Sequence, residues 1–445
     1  MRVLIISTNT LFASPAGPAY VAGAALQDGH DVDVFDCYFA QDIDKELAAK
    51  ITRFQPEVCG ISIRLVNGKV VTDYDAPWAI QRFDVRPTVR EVADCIRRTA
   101  PNAKIILGGP GFNYYGPNWL EYLDLDYGLR GEADFTFPQY LDMLANGGDI
   151  YIIAGCVYRK NGGWREVERH YRDDLDSTGF PAYQLFDLDR YQAVGIAPAI
   201  STKRGCAMGC TFCPYARLEG TRYRVKSPKR VVDEIEYVYA ACGPRTLSFC
   251  DNSFNIPLKH GKAICREIIE RGNEITWSTG ALKPIGINPT FVNLMLESGC
   301  QYVNLAVESA SPTMLGNMHR GYSVRQIREA MTSLSNSDLP FGMSIMLGAP
   351  GESPETVAET FAVVDSFPTP PGGVWVSIGI NMWTEYQQII DVVRESGQLT
   401  HDAQLFDGVD YLSPELPKDY MEDLINNLAA RDGYTVQVNK AHATA

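Results

Sequence analysis

The 445-residue sequence has few histidines, no long hydrophobic run and no excess of basic charge. Lysine and arginine number 40 against 54 acidic residues, for a net charge of −14. Such a chain is poorly suited to a broad phosphate-binding surface, so a nucleic-acid partner is not expected. No apolar run approaches the roughly 20 residues that span a bilayer, and the opening MRVLIISTN lacks the longer apolar stretch of an export signal. We therefore expect a cytoplasmic protein without a membrane partner.

The sequence also lacks a fourth cysteine beside a compact group of three. Of eleven cysteines, eight are scattered and are expected to pack as small apolar side chains, reduced in the cytosol. The others, Cys206, Cys210 and Cys213, form C-x3-C-x2-C within KRGCAMGCTFCPY. A structural zinc ion takes four ligands, and neither a second CxxC pair nor an HxxxH pair follows. Chance packing in a turn and zinc remain alternatives, but three thiolates best fit an iron–sulfur cluster.

Two stretches of alternating strand and helix patterns predict an α/β protein. Residues 1–150 predict a doubly wound, Rossmann-like parallel sheet without a G-x-G-x-x-G turn, and 151–195 a connector with a small hairpin. Residues 196–385 predict a partial (β/α)6 barrel, and 386–445 a helical and irregular tail. In both sheets a ligand is expected at the carboxyl ends of the strands. The predicted barrel strands are 198–203, 245–250, 274–279, 301–307, 340–347 and 374–380.

The cysteine pattern after the first barrel strand, with Phe212 before the last cysteine, resembles the signature of radical S-adenosylmethionine (SAM) enzymes. The resemblance implies that the three thiolates hold a [4Fe–4S] cluster whose open iron binds SAM. One electron then cleaves SAM to a 5′-deoxyadenosyl radical. A strongly reducing partner of the flavodoxin or ferredoxin type is implied as well.

Four later segments resemble the SAM-contacting motifs of that family: LSFCDNSFN (247–255), TWSTGA (276–281), NLAVESASPTMLGNMHRGYS (304–323) and IMLGAPGES (345–353). The resemblance implies SAM contacts from Asp251 (amino group), Ser278 or Thr279, Glu308 (ribose or amino group), Arg320 (carboxylate) and Gly348 (adenine). Taken alone, Glu308 would as readily form a surface ion pair, and Arg320 a solvated helix cap.

Three segments of the first domain resemble the cobalamin-binding domain that precedes the barrel in a large radical SAM class. They are GPAYVAGAALQDGHDVDVFD, IILGGPGF and GLRGEADFTF. The residues that the resemblance assigns to cobalamin, or methylcobalamin, are Ser62, Gly108, Gly109, Pro110, Gly131 and Glu132. Glycines allow backbone to approach a flat macrocycle closely. A generic nucleotide site, with glycines that serve only tight turns, is the alternative.

The D-x-H-x-x-G motif that supplies a lower cobalt ligand in mutases is absent. Instead, ISIRLVNG (61–68) resembles the SIRN segment of a methylase subgroup that includes the tryptophan C-methylase of thiopeptide pathways. The resemblance implies that Arg64 lies under cobalt. Arginine has no lone pair to donate, so it would leave the lower face open and the methyl group labile. A surface salt bridge is the alternative role for Arg64.

The pairing of both resemblances implies a cobalamin-dependent radical SAM methyltransferase acting on a carbon of a small natural product or metabolite. Ring contraction, cyclisation or rearrangement without net methylation, a polar methyl transfer, and a cobalamin or iron–sulfur sensor remain alternatives. Trp277, Trp375 and Trp383 lie near predicted strand ends and would line a pocket, although such residues commonly pack in a core. The tail is expected to close over the substrate.

Overall fold

A computed structural model of the chain describes residues 1–71, 80–382, 384, 387–399 and 405–438. The chain forms two compact units. One comprises Met1–Asn67, Asp84–Ile200 and Asp233–Arg245, and so includes the segment predicted as a connector. The other comprises Gly68–Phe83, Ser201–Val232 and Thr246–Ala445. In the described part of the chain, no helix combines the length and apolar character needed to cross a bilayer.

A four-stranded parallel sheet is the centre of the first unit, as the buried apolar runs predict. The first strand, RVLIIS, is buried at every position after its first. The strand order places the first strand between the second and the third, so the chain reverses direction across the sheet there. Across the sheet the strands are Asp31–Asp36, Arg2–Ser7, Val58–Ser62 and Lys104–Gly108.

Five helices accompany this sheet: Ala16–Gln27, Ile43–Phe54, Arg86–Thr99, Pro110–Leu123 and Ala133–Ala145. The helix Pro110–Leu123 was not predicted, because its two prolines and two glycines are typical of a loop. It forms with an interruption at Tyr115 (φ −133°, ψ 35°), just before Pro117. The predicted hairpin is present as Cys156–Lys160 and Gly163–Glu166, and Tyr127–Leu129 pairs antiparallel with its first strand.

A parallel sheet also organises the second unit, as predicted for the partial barrel. Its strands are, in spatial order, Leu247–Phe249, Trp277–Leu282, Cys300–Glu308, Phe341–Leu347, Val374–Ile378 and Tyr434–Val438. The first predicted barrel strand is reduced to Ala199–Ile200. The last strand corrects the prediction of a helical and irregular tail: YTVQV pairs in parallel with Val374–Ile378. Its alternation of apolar and polar residues is the signal that the sequence offered.

Helices follow the barrel strands, as the alternating pattern predicted. They are Pro228–Cys242, Leu258–Arg271, Pro289–Glu297, Val324–Ser335 and Pro354–Val364. Ser323 and Ser353 begin the last two with capping boxes, in which the serine and the third helical residue satisfy each other's backbone N–H groups. The tail adds Ile389–Glu395, Lys418–Ala429 and the antiparallel pair Ile380–Met382 with Val409–Tyr411.

The remaining described elements are short. They are the strands Asn67–Val71, Ile80–Asp84, Lys203–Arg204 and Arg224–Val225, the helices Leu188–Ala193, Tyr215–Glu219 and Pro312–Asn317, and the 3-10 turns Ile150–Ile152, Tyr183–Leu185 and Leu405–Asp407.

Candidate functional site

The cysteine loop begins directly after the strand Lys203–Arg204, which pairs antiparallel with Arg224–Val225. Gly205 has a left-handed backbone (φ +82°), and a Cβ there would collide with the carbonyl group of Arg222. The Cys206 N–H donates to Gly220 O at 3.0 Å, and the Cys213 N–H donates to Cys210 O at 3.1 Å. The loop is therefore fixed by backbone contacts that do not use the thiols.

The three thiols lie near one another without converging on a point. Burial raises the pKa of Cys213 to about 11, with further increases from nearby Cys210 and Cys206. Among the described residues, no three His, Cys, Asp or Glu side chains come close enough to hold one metal ion. A zinc ion needs its ligands around a single centre, whereas a four-iron cluster takes one thiolate at each of several irons. The cluster at these three thiols stays a prediction that rests on their spacing in the sequence.

Arg320 holds the middle cysteine of this loop. The side chain is 1% exposed, and its guanidinium donates to Cys210 Sγ at 3.1 Å, to Tyr322 Oη at 2.8 Å and to Ala306 O at 3.2 Å. It also lies 5.4 Å from the centre of the Phe212 ring. A solvated helix cap is excluded by this burial. The predicted contact with the SAM carboxylate stays a prediction, since the structure shows the guanidinium engaged by protein groups.

Glu308 ends the strand Cys300–Glu308 in an unusual conformation. Its φ is +62°, which is rare for a residue with a side chain, and the pairing with the next strand shifts register between Ala306 and Glu308. Such bulges redirect side chains and are common beside active sites. Glu308 Oε1 lies 3.7 Å from Arg320 Nη2, and the carboxylate is only partly exposed, so the pair is not a surface ion pair.

Lys283 is a charged residue of this region that sequence reasoning missed. It lies directly after the strand Trp277–Leu282 and is 9% exposed. Burial lowers its pKa, and the positive charge of Arg320 lowers it further, against the opposing effects of Glu308 and the two cysteines Cys210 and Cys213. In the described residues its ammonium makes no hydrogen bond or ion pair. A lysine at the carboxyl end of a predicted barrel strand was the available signal.

Asp251 fixes the start of the cysteine loop. Its carboxylate accepts from the Thr202 N–H at 2.8 Å, from Thr202 Oγ1 at 2.6 Å and from Lys203 Nζ at 3.2 Å. Asp251 and Lys203 are both fully or almost fully buried. The charges compensate each other, which buried ions require. Asp251 thus lies beside the start of the loop, and its contact with SAM stays a prediction.

Ser278 and Thr279 lie on opposite faces of the barrel sheet. Thr279 is fully buried, and its hydroxyl donates to Phe249 O at 3.3 Å. Ser278 is partly exposed and is in register with Ser248 and Tyr302 on the other face. Of the two predicted SAM contacts, Ser278 is therefore the accessible one. Trp277 packs against Phe249 and Phe254, as the core alternative expected, and Trp383 lies outside the described residues.

The glycine-rich turn after Phe341–Leu347 contains a buried acid. Glu352 is 0% exposed and accepts from the Gly348 N–H at 3.1 Å and from Thr356 Oγ1 at 3.3 Å. Burial raises the pKa of Glu352 to about 7, against the opposing effect of these hydrogen bonds. Gly348 has φ +96°, and Ser413 of the tail donates its N–H to Gly348 O at 2.9 Å. The turn predicted to contact adenine is thus held by hydrogen bonds with Glu352 and with Ser413 of the tail.

The tail also holds the outer part of the cysteine loop. The Ile389 N–H donates to Thr211 O at 2.9 Å, and Gln387 Nε2 donates to Phe212 O at 2.9 Å. Gln387 is 3% exposed. Residues 387–389 therefore belong to the structure of the cysteine loop. Closure of the tail over a substrate stays a prediction.

The first unit gathers the residues predicted for cobalamin at the carboxyl edge of its sheet. Ser7, Ser62 and Gly108 are in register across three neighbouring strands. The edge therefore lies where the strand order reverses, which is the usual ligand position in such sheets. Ser62 and Gly108 are partly exposed. Arg64 is exposed and lies two residues beyond Ser62.

The structure explains the glycines of this edge in different ways. Gly109 has φ +89°, and a Cβ there would lie 2.6 Å from Ile63 O, so the fold itself requires glycine. Gly131 has φ +99°, and its N–H donates to Asn113 Oδ1 at 2.7 Å. A Cβ on Gly108 would meet only Leu129 O, at 3.8 Å. Neither conformation nor packing requires glycine at position 108, and close approach by a ligand stays the predicted reason.

Pro110 and Glu132 occupy the starts of two helices at the same edge. Pro110 is exposed at the first position of Pro110–Leu123, and Glu132 precedes Ala133–Ala145. Glu132 Oε2 accepts from the Arg172 N–H at 3.4 Å. Asn113, which sequence reasoning missed, is 5% exposed and supports Gly131. An asparagine next to a glycine-rich strand end was its only signal.

Comparisons with known proteins agree with both regions. A sequence model of the B12-binding domain matches residues 2–141, and one of the radical SAM superfamily matches residues 200–364. An uncharacterized methyltransferase of Pyrococcus horikoshii is 29% identical over 350 residues, covering 78% of this chain and 72% of that protein. An anaerobic magnesium-protoporphyrin IX monomethyl ester cyclase of Synechocystis is 24% identical, covering 73% of this chain and 62% of that protein.

The fold is shared with a solved enzyme. The radical SAM methyltransferase TsrM from Kitasatospora setae, with cobalamin and a [4Fe–4S] cluster bound, superposes with a TM-score of 0.82. The match covers 99% of this chain and 93% of TsrM at 20% identity. This confirms the predicted fold of a cobalamin-binding domain followed by a radical SAM barrel.

The two matches define the class: the chain carries a B12-binding domain followed by a radical SAM domain. The two domains imply cobalamin, SAM and a [4Fe–4S] cluster as cofactors, and the chain is similar in fold to a methyltransferase that binds cobalamin and such a cluster.

Proposed function

We propose that this enzyme moves a methyl group from SAM, through cobalamin, onto a carbon atom of a small natural product or metabolite. The observation that carries the proposal is the charged group around the cysteine loop. The same chain also carries a B12-binding domain. Cys210 contacts Arg320, and Arg320 pairs with Glu308. Lys283 lies close enough for the charges of these three residues to change its pKa. A sensor that used the cluster only for redox would not need this set of charges.

Each residue of this group has a proposed task. Cys206, Cys210 and Cys213 hold the cluster, and Arg320 positions Cys210. Lys283 is suited to the SAM carboxylate, because a buried ammonium without a partner among the described residues gains most from an anionic ligand. Glu308, redirected by its bulge, is suited to the amino group or ribose. Fixed contacts at both ends would orient the bond of SAM that breaks.

The first unit is proposed to position cobalamin by shape. The edge formed by Ser62, Gly108 and Gly131 admits a flat macrocycle, and Arg64 lies at the same edge to occupy the lower face of cobalt. When bound, the cluster and SAM supply a radical that removes hydrogen, and cobalamin supplies the methyl group. The protein's own contribution is orientation, exclusion of water and charge.

A substrate-independent assay tests the proposal. The protein would be reconstituted anaerobically with iron, sulfide and cobalamin, reduced, and given SAM labelled in its methyl group. We expect the label to enter the cobalamin fraction and 5′-deoxyadenosine to form slowly. In a separate assay with an accepted substrate, turnover without any 5′-deoxyadenosine would favour polar methyl transfer. A chain that binds neither cobalamin nor a cluster contradicts the proposal.

A cyclisation without net methylation is the second candidate, because a magnesium-protoporphyrin cyclase is among the relatives. It predicts radical formation with no labelled methyl group in the product. Turnover of any accepted substrate with methyl-labelled SAM separates the two, since label in the product requires methyl transfer.

A sensor is separated by Cys210→Ala. In a sensor this substitution would leave ligand binding intact, and the wild-type protein would show no turnover.

A further inference from the structure

The barrel sheet has two faces of opposite character. In the strand Cys300–Glu308, Val303, Leu305 and Val307 are fully buried on one face. On the other face Asn304 is partly exposed, and the neighbouring strands continue the pattern. Register alignment places Ser344 beside Trp375, and Met346 beside Ser377, on that same face. We call Asn304, Ser344, Met346, Trp375 and Ser377 the inner face.

The inner face is not packed as the interior of a closed barrel is. Such interiors are filled by layers of bulky branched apolar side chains. Here the positions carry an amide and two small hydroxyl groups, and all five side chains are partly exposed. Gly280, whose carbonyl accepts from Asn304 Nδ2 at 3.4 Å, would have nothing within 4 Å of an added Cβ. Space beside Asn304 is therefore part of the fold.

The hydrogen bonds of this face leave one acceptor and one donor side by side. Asn304 Nδ2 donates to Ser344 Oγ at 2.8 Å as well as to Gly280. Within the residues that the structure describes, Asn304 and Ser344 make no further hydrogen bonds. The Asn304 carbonyl oxygen can thus accept, and the Ser344 hydroxyl can donate. A group with one donor and one acceptor, such as an amide, complements this pair.

Charge restricts the ligand further. None of the five inner-face residues is charged, and the nearest charges in the sequence of these strands are Glu308 and Lys283 at the carboxyl ends. Transfer of an ion to a site without a counter-charge is strongly unfavourable, whereas a neutral polar group needs only its hydrogen bonds. Trp375 and Met346 offer a flat and adaptable apolar surface on the same face.

We infer that the inner face binds the methyl acceptor through an uncharged amide-like group, with an apolar or aromatic portion against Trp375. The inference deepens the proposed function, since it names the substrate class of that enzyme. It does not depend on turnover for its test. Carboxylate-bearing or ammonium-bearing groups are expected to stay outside the inner face.

Three probes of matched size test the inference: benzamide, benzoate and benzylamine at neutral pH. Equilibrium dialysis and saturation-transfer NMR on the reconstituted protein would measure their binding. We expect benzamide to bind at least about tenfold more tightly than either ion. Asn304→Ala and Ser344→Ala should each weaken benzamide binding by roughly fivefold or more, the cost of a lost hydrogen bond. Gln301→Ala, an exposed position of the same strand, is the matched control.

The outcomes separate this inference from the proposed function. Equal binding of the three probes, or benzamide binding that ignores both substitutions, overturns the inference. SAM affinity and far-ultraviolet circular dichroism of each variant exclude misfolding as the cause of lost binding. If label still enters cobalamin while benzamide fails to bind, only the inference falls. If benzamide binds through Asn304 while label never enters cobalamin, the binding face stands and the proposed function falls.

Discussion

The two cofactor regions of this molecule are built from different materials. At the edge of the first unit, glycines and backbone dominate: Gly109 is required by its conformation, Gly131 by its turn, and Gly108 by neither. Around the cysteine loop of the second unit, buried charged side chains dominate, with Arg320, Lys283 and Glu308 close together. From this difference we expect shape to select the ligand in one region, and charge in the other.

The largest difference between the two regions is expected when a ligand of the cluster is removed. Cys210→Ala removes a proposed cluster ligand, so we expect iron content to fall sharply and transfer of the SAM methyl group to be lost. Cobalamin binding should persist, because the residues predicted for it lie in the other unit. Iron analysis, the visible spectrum and cobalamin dialysis measure these effects. Cys265→Ala, at a buried position of the same unit, is the control, and loss of the cluster there too would contradict the assignment.

The glycine edge is tested by a neighbouring pair of substitutions. Gly108→Ala should leave thermal stability almost unchanged and weaken cobalamin binding by about tenfold, because the new methyl group meets ligand rather than protein. Gly109→Ala should destabilise the first unit by about 1–3 kcal/mol, through its positive φ and the clash with Ile63. Thermal melts and cobalamin dialysis distinguish the two. If Gly108→Ala binds cobalamin as tightly as the wild type, Gly108 is not part of the cobalamin site.

The stability of the second unit should depend on pH, because it contains the buried carboxyl group of Glu352. The folded protein holds this proton more tightly than the unfolded chain, since burial raises the pKa to about 7 from an ordinary value of 4.5. The stabilisation is therefore complete below about pH 4.5 and is lost as pH rises through about 7, at about 1.4 kcal/mol per pKa unit. Apparent melting temperature should fall over this range.

Glu352→Gln should flatten that dependence, because glutamine keeps the size and one acceptor without a titrating proton. Glu355→Gln, at an exposed acid three residues further along, is the matched control and should retain the wild-type slope. An unchanged slope in Glu352→Gln would show that another group is responsible.

The smallest effect is expected at Arg320. Arg320→Lys keeps the charge but loses the planar donor that reaches Cys210 Sγ. Hydrogen bonds to cluster sulfurs raise the reduction potential, so we expect a fall on the order of tens of millivolts. An EPR-monitored redox titration measures it. Arg325→Lys, on an exposed side chain nearby, is the control; a potential equal to that of wild type would leave Arg320 without influence on the cluster.

Much of this organisation was predictable from local sequence. Alternating apolar patterns gave the sheets, and the C-x3-C-x2-C spacing identified the loop. The exceptions depend on contacts distant in the chain. The local sequence YTVQV does not determine that this strand pairs with Val374–Ile378. The residues around Arg320 likewise do not indicate that its guanidinium contacts Cys210. Pro110–Leu123 was missed for the opposite reason, because tertiary packing overrides its local preference for a loop.

The contact between the tail and the cysteine loop has a consequence for how the protein matures. Gln387 and Phe212 are separated by 175 positions in the chain. During synthesis the cysteines emerge long before the residues that hold Thr211 and Phe212 in place, and closing so long a loop is costly until its contacts form. We therefore expect the loop to reach its final conformation for cluster insertion only after residues 387–389 are synthesised. A nascent chain halted earlier would expose its three thiols to oxidation.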